Sequence, residues 1–309
     1  MNRGGVVENY CLEIEGLSKS YGRLKALDAL SLKVAAGNVY GLLGPNGSGK
    51  TTTLGILLDI INKDGGEFKW FGQYSSPQVR KRIGALLEQP LFYPYLTAVQ
   101  NLKIIADIRG VDYSAIEDVL KMVDLYERKS DKYKTFSLGM KQRLAIAAAM
   151  LGKPDVLILD EPTNGLDPRG IADIRSLIIR IAKSGITILL ASHLLDEVEK
   201  VCTHVAVLDH GKKLFSGPVA EVLSQSVSYV VAAPDMERLW KVLSAEKWVS
   251  SLRSEEGKIV FSVSEDYSAA RINRFFTEKG IFLSHLSELH LSLEKYFLEL
   301  LSENHDTTH

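Results

Sequence analysis

The chain of 309 residues is long enough for one large domain or two smaller ones. Its hydrophobic content of 46% and charged content of 24% are typical of a globular protein, and a net charge of −1 gives no basic excess that would point to nucleic acid as a partner. We expect no signal peptide, no membrane-spanning segment and reduced thiols at Cys11 and Cys202, with a disulfide between those two cysteines as the alternative.

From about residue 11 to residue 217, short apolar strands alternate with amphipathic helical stretches. Three segments alternate apolar and polar residues like half-exposed antiparallel strands, at residues 12–14, 30–34 and 68–71. Continuous apolar runs predict central strands that are covered on both faces, at residues 39–43, 156–159, 186–190 and 205–208. The pattern predicts an α/β fold whose mixed sheet has an antiparallel edge.

The composition changes after Pro218, which marks a turn. From Ser228 onward the periodicity predicts strand, helix, strand, strand, helix, strand and a last helix. This order suggests a small α+β module of the ferredoxin-like kind, and its aromatic stripes are interpreted as core rather than as a ligand pocket. We therefore place two domains at residues 1–220 and 226–303. The role of the second domain is left open between regulation of the first and stabilisation of a pair of chains.

A phosphate-binding motif follows the predicted strand at residues 39–43, where Gly-Pro-Asn-Gly-Ser-Gly-Lys-Thr matches G-x-x-x-x-G-K-[ST]. Glycine-rich turns let successive N–H groups point at an anion, and the following helix adds the positive end of its dipole. We predict a site for ATP with Mg²⁺, in which Lys50 reaches the β- and γ-phosphates and the Thr51 hydroxyl holds the metal. The nucleotide-binding residues predicted here are Gly44, Pro45, Asn46, Gly47, Ser48, Gly49, Lys50, Thr51 and Thr52.

Two carboxylates end the apolar run at residues 156–159. That strand delivers Asp160 and Glu161 to the carboxyl edge of the sheet, beside the phosphate loop. We predict that Asp160 holds or orients Mg²⁺, and that Glu161 accepts a proton from the water that attacks the γ-phosphate. The alternative is a solvated strand end with two surface acids.

Further motifs resemble those of the ATP-binding cassette (ABC) ATPases. Phe-Ser-Leu-Gly-Met-Lys-Gln-Arg at residues 136–143 resembles their signature motif, and Asn-Gly-Leu-Asp at residues 164–167 resembles their D-loop. His193 resembles the family's switch histidine, and Tyr21 resembles the aromatic residue that stacks on adenine. The resemblance covers about residues 12–217 in the family's usual motif order. It implies an ABC-type P-loop ATPase domain with a helical subdomain at about residues 90–152.

The resemblance also implies how the site is assembled. Two copies of the chain would pack head to tail, so that Ser137, Gly139 and Asp167 of one copy meet the nucleotide held by the other. His193 would hydrogen-bond the γ-phosphate and help to hold the attacking water. The predicted catalytic residues are thus Glu161, His193 and Lys50.

Two departures from the family pattern stand out. The signature has Leu138 and Met140 where the family commonly has glycine and glutamine. In the loop where the family usually has a magnesium-binding glutamine, alignment on the following aromatic residue puts Glu88 at that position, with Gln89 as the alternative. A glutamate is a suitable hard ligand for Mg²⁺, so Glu88 joins Thr51 and Asp160 as a predicted metal ligand. This loop resembles that of the bacitracin- and lantibiotic-exporting subfamily.

These motifs imply an ATP-hydrolysing subunit of a transporter, with export as the expected direction and peptide antibiotics or lipophilic molecules as expected cargo. The partners implied are a permease on a separate chain and a second copy of this chain, at the cytoplasmic face of the cell membrane, without nucleic acid. The first alternative is an ABC-type ATPase that is not coupled to transport. The chain has a single cassette and no long insertion, and both features argue against this alternative. The second is a nucleotide sensor without turnover, against which the intact Lys50, Asp160, Glu161 and His193 argue.

Overall fold

A computed structural model describes residues 9–87, 91–224, 227–255, 257–263, 267–290 and 292–306. The chain forms two compact units, and the boundary between them along the sequence falls between Gly217 and Pro218. Strands of the first unit are β1 (Tyr10–Tyr21), β2 (Leu24–Ala35), β3 (Val39–Leu43), β4 (Gly65–Trp70), β5 (Ile83–Leu86), β6 (Val156–Asp160), β7 (Thr187–Ser192), β8 (His204–Asp209) and β9 (Lys212–Pro218). Its helices are α1 (Lys50–Leu57), α2 (Pro77–Lys81), α3 (Ala98–Arg109), α4 (Ser114–Met122), α5 (Leu138–Met150), α6 (Pro168–Lys183) and α7 (Leu195–Val201).

The central sheet of the first unit has the strand order β5-β6-β7-β3-β8-β9. The pairs β5-β6, β6-β7, β7-β3 and β3-β8 are parallel, so their carboxyl ends meet at one edge. Every residue of β3, β6 and β7 is buried, as the continuous apolar runs predict. Leu43 pairs with Ser192, and Asp160 pairs with Ala191. These two pairings bring the segments that follow β3, β6 and β7 to neighbouring positions.

The predicted antiparallel strands are present, and they form a sheet of their own with the order β2-β1-β4. The side chain of Trp70 on β4 is fully buried, and its indole N–H donates to the Leu57 carbonyl at the end of α1, 3.0 Å away. A single hydrophobic cluster spans this sheet, α1 and one side of the central sheet. The helix that follows the phosphate loop is therefore fixed between the two sheets.

A helical segment is inserted between β5 and β6, where the described residues contain α3, α4, α5 and short 3-10 turns. Thr97 and Gln100 form a capping box that begins α3. Ser137 caps α5, because its hydroxyl accepts a hydrogen bond from the Met140 N–H. Cys11 and Cys202 are buried free thiols, so the alternative of a disulfide between them is wrong.

The second unit contains α8 (Val219–Ser224), β10 (Val227–Ala232), α9 (Met236–Ser244), β11 (Val249–Glu255), β12 (Lys258–Val263), α10 (Ala269–Glu278), β13 (His285–His290) and α11 (Leu293–Asp306). Its antiparallel sheet has the order β11-β12-β10-β13. Tyr229, Phe261 and Phe276 are fully buried in its core. Trp240 is one of the aromatic residues at helical spacing that the sequence predicts as core, and it is exposed, so that prediction is wrong for this residue. The ferredoxin-like classification of this unit stays a prediction.

Helices long and apolar enough to cross a lipid bilayer are not found in the part of the chain that the structure describes.

Candidate nucleotide-binding site

The phosphate loop joins the end of β3 to the start of α1, and its glycines adopt backbone conformations that other residues rarely take. Gly47 has a φ of 82° and Gly49 a φ of 106°. A Cβ at Gly49 would lie 2.6 Å from the Ala26 carbonyl oxygen, so only glycine fits there. The hydroxyl of Ser48 is buried and has no hydrogen-bond partner among the described residues. A buried hydroxyl without a partner, in a glycine-rich loop at the start of a helix, fits a phosphate ligand.

Lys50, the first residue of α1, folds back over the loop. Its ammonium donates to the Gly44 carbonyl at 2.7 Å and to the Pro45 carbonyl at 3.1 Å. Burial lowers the pKa of the ammonium below its usual value, and the carboxylates of Glu161 and Asp160 act in the opposite direction. A buried cation with two carbonyl partners is suited to exchange them for phosphate oxygens.

Thr51 and Asp160 lie side by side across the gap between α1 and β6. The Thr51 hydroxyl donates to Asp160 Oδ2 at 3.0 Å, and the carboxylate is buried. A hydroxyl and a carboxylate are hard oxygen ligands of the kind that Mg²⁺ takes, with waters and phosphate oxygens as the others. Among the described residues, no group of three or more His, Cys, Asp or Glu side chains could hold a metal by itself. The hydroxyl and the carboxylate are two ligands of the right kind, so the pair fits Mg²⁺ whose other ligands are water and phosphate oxygens. Glu88 and Gln89 lie outside the described residues.

Glu161 and His193 contact each other directly, which sequence reasoning did not predict. Glu161 Oε2 lies 2.8 Å from His193 Nδ1, and the backbone N–H of Glu161 donates to the Ala191 carbonyl on the neighbouring strand. An ionised carboxylate only accepts, so Nδ1 carries the proton in that bond. Glu161 has a φ of 47°, a left-handed conformation that turns the chain sharply after β6. The acid and the imidazole thus form one unit at the carboxyl edge of the sheet.

A cavity of about 270 Å³ opens beside the phosphate loop. Tyr21 lines it and is 48% exposed, with the Lys19 ammonium over its ring at 5.5 Å from the ring centroid. Glu161 lines the same cavity, as do Gly47, Lys50 and Thr51. The same cavity is thus lined by Tyr21, which is predicted to stack on adenine, by the phosphate loop, and by Glu161, the predicted general base. Leu24 and Ala26, which sequence reasoning did not single out, complete the wall next to Tyr21.

A second cavity of about 390 Å³ lies between the signature segment and the D-loop. Ser137, Gly139 and Asp167 line it. Asp167 also caps α6, because its Oδ1 accepts a hydrogen bond from the Gly170 N–H at 2.7 Å. This cavity shares no lining residue with the one beside the phosphate loop. Within one chain, the predicted nucleotide-binding residues therefore line two separate cavities.

The turn between β8 and β9 is hydrogen-bonded to the phosphate loop, a contact that the sequence did not predict. The Gly211 N–H donates to the Ser48 carbonyl at 3.1 Å, and the Gly211 carbonyl accepts from the Asp28 N–H at 2.9 Å. Gly211 has a φ of 77°, and a Cβ there would lie 2.7 Å from the Ala26 carbonyl oxygen. The only signal in the sequence is a glycine shortly after the strand predicted at residues 205–208, which a common turn explains equally well.

Comparison with known sequences links this geometry to one family. Residues 27–164 match the ABC transporter family. YcbN of Bacillus subtilis, an ABC transporter ATP-binding protein, is 36% identical over 301 residues, which cover 96% of this chain and 98% of the relative. BcrA of Bacillus licheniformis, a bacitracin transport ATP-binding protein, is 38% identical over 291 residues, covering 92% and 95%. SrtF of Streptococcus pyogenes, a lantibiotic transport ATP-binding protein, is 40% identical over 201 residues, covering 65% and 88%.

Solved structures give the same result for the fold. The cbiO1 protein of Clostridium perfringens, part of the ABC transporter complex cbiONQ, has a TM-score of 0.64 and 30% identity, and the match covers 71% of this chain and 92% of that one. An ATP-binding cassette of an ABC transporter in its ADP conformation has a TM-score of 0.64 and 25% identity, covering 70% and 95%. The matches to YcbN and BcrA extend over the second unit as well.

Proposed function

Since this chain belongs to the ABC transporter family, as an ATP-hydrolysing subunit that works with a separate membrane subunit, we propose that it powers the export of a peptide antibiotic of the bacitracin or lantibiotic kind. The support for this cargo is the similarity to BcrA over nearly the whole chain, and to SrtF over the first unit. The alternative of an ATPase without a transport role loses its support, because these relatives are transport proteins by name. We place the working protein at the cytoplasmic face of the cell membrane.

The assembly that we propose is a head-to-tail pair of two copies. The observation that carries it is the separation of the two cavities, one beside the phosphate loop and one beside the signature segment. A ligand held by Lys50 and Thr51 reaches Ser137 only if a second copy supplies it. The dipole of α5 and the N–H groups at its first turn then face the triphosphate.

In this assembly each residue has a chemical role. Lys50 and the loop N–H groups bind the phosphates, and Tyr21 supports the base by stacking. Thr51 and Asp160 would hold Mg²⁺, which neutralises charge on the phosphate oxygens when it is bound. Glu161 accepts the proton of the attacking water, and the His193 N–H orients the Glu161 carboxylate.

The roles of Glu161 and Ser137 are tested by two variants of the full chain. Glu161→Gln is expected to bind ATP and to form a dimer with it, while turnover falls by about a hundredfold or more, the scale of a lost general base. Ser137→Arg is expected to bind ATP but to stay monomeric, as measured by light scattering. A wild-type rate in the first variant, or an ATP-dependent dimer in the second, would contradict the assembly.

The cargo is tested in cells that produce this chain together with its separate permease. We expect the minimal inhibitory concentration of bacitracin or of a lantibiotic to rise with the wild-type chain and not with Glu161→Gln. Unchanged resistance to both, with ATPase activity intact, would reject peptide antibiotics as the cargo.

A further inference from the structure

An ion pair joins α6, which Asp167 caps, to α7, which begins two residues after His193. Nη1 of Arg175 on α6 lies 3.0 Å from one carboxylate oxygen of Glu197 on α7 and 3.3 Å from the other. The side chains are only 27% and 17% exposed, so solvent screens their attraction less than that of a surface pair. Lys200 of α7 is the other cation near Glu197, at 3.8 Å. Arg175 is thus the closest cationic partner that fixes Glu197 to another helix.

Helix α7 depends on such tertiary contacts. It has seven residues, too few for a helix to be stable by itself. Val198 packs α7 against the central sheet. Its side chain is fully buried, and one of its methyl groups would lie only 2.9 Å from a Cβ placed on Gly41 of β3. The Arg175–Glu197 pair holds the first turn of α7 against α6. Glu197 belongs to that turn, because its N–H donates to the Leu194 carbonyl.

His193 is connected to this first turn by a short stretch of backbone. One residue separates it from the start of α7, and the Leu194 N–H donates to the Ser192 hydroxyl at 3.1 Å. On the other side, the imidazole contacts Glu161. A shift of the first turn of α7 therefore moves the imidazole relative to the carboxylate, which lies on the segment after β6.

We propose that Arg175 and Glu197 are positioning residues, which hold α7 against α6 so that the His193 imidazole stays aligned with Glu161. The proposal rests on the catalytic roles proposed above for Glu161 and His193. Asp167 caps α6, which begins at Pro168, and α7 follows His193, so the pair also ties the D-loop helix to the switch-histidine helix. Neither residue touches the cavity beside the phosphate loop.

The test compares Arg175→Ala with Arg180→Ala in the full chain. Arg180 lies on the same helix and pairs with Asp124, but both of those side chains are at least half exposed, so it is a matched control. We expect kcat for ATP hydrolysis to fall about tenfold in Arg175→Ala with KM within about twofold of wild type, the pattern of a lost transition-state interaction. Arg180→Ala should keep both constants within about twofold of wild type.

A charge swap separates alignment from general stability. Arg175→Glu combined with Glu197→Arg restores the attraction, so we expect it to recover at least about half of the kcat that Arg175→Ala loses, whereas either reversal alone should not. Should Arg175→Ala not yield folded protein, Glu197→Gln replaces it, with the same expected pattern.

Three results would overturn the proposal. They are a wild-type kcat in Arg175→Ala, a raised KM with unchanged kcat, and a folded charge-swap variant that recovers nothing. Glu161→Gln is measured in the same series. If it also turns over like wild type, the catalytic roles themselves fail; if it loses turnover while Arg175→Ala does not, only the positioning role fails.

Discussion

Replacement of Gly211 by alanine tests whether the β8–β9 turn sets the shape of the phosphate loop. An L-residue at a φ of 77° costs about 1–2 kcal/mol by itself. The new Cβ would also lie 2.7 Å from the Ala26 carbonyl oxygen and 2.9 Å from the Ala26 carbonyl carbon, closer than real Cβ contacts come. Since both obstacles are backbone atoms, the turn itself must move.

The two hydrogen bonds of Gly211 then lengthen. They join its N–H to the Ser48 carbonyl and its carbonyl to the Asp28 N–H. At about 0.5–1.5 kcal/mol each, their loss adds about 1–3 kcal/mol to the backbone penalty. A displaced Ser48 also misplaces the loop N–H groups, and a loss of about 1.4 kcal/mol there weakens ATP binding about tenfold.

Gly37→Ala is the matched control. Gly37 has a φ of 80° in the same unit, and a Cβ there meets open space, so it incurs the backbone penalty without the collision. We expect urea denaturation to show Gly211→Ala less stable than Gly37→Ala, and equilibrium titration with a fluorescent ATP analogue to show weaker binding only in Gly211→Ala. Equal losses of stability in both variants, with ATP affinity unchanged, would refute this role for the turn.

Three other outcomes follow from the site and the core. Burial raises the pKa of Cys11 to about 11 and raises that of Cys202 still further, so neither thiol should react with a disulfide reagent at pH 8 until the protein is unfolded; labelling of the native protein would contradict the burial. Asp167→Ala removes the cap of α6 and should cost about 1 kcal/mol in the free energy of unfolding, measured by urea denaturation. Lys50→Ala should weaken ATP binding, measured by equilibrium titration, because the phosphates lose their cation; unchanged affinity would remove Lys50 from the site.

The parts of the site that the sequence predicts are those in which a motif and its local structure coincide. The phosphate loop needs only a strand, a turn and a helix in succession, and Asp160 ends a strand whose apolar run is continuous. Both are local patterns, so the periodicity of the sequence suffices to locate them. Tyr21 and Ser137 depended on family resemblance instead, because an aromatic residue in a turn or a serine before a helix has no specific chemistry by itself.

The parts that sequence reasoning missed are contacts between distant segments. Gly211 meets Ser48, and Arg175 meets Glu197, through the order in which strands and helices pack rather than through spacing along the chain. The pairing of Glu161 with His193 was missed for the same reason, although each residue was singled out. The capping role of Asp167 was available from the sequence, since aspartate followed by proline is a common helix start.

The folded-back conformation of Lys50 has a kinetic consequence. Its ammonium is buried and held by the Gly44 and Pro45 carbonyls, at the place where a triphosphate would need it. On binding, phosphate oxygens would replace two neutral carbonyl oxygens as partners of the cation, and the charge-assisted bonds favour that exchange. The attraction between the cation and the phosphates therefore speeds their encounter, and added salt, which screens that attraction, should slow the association.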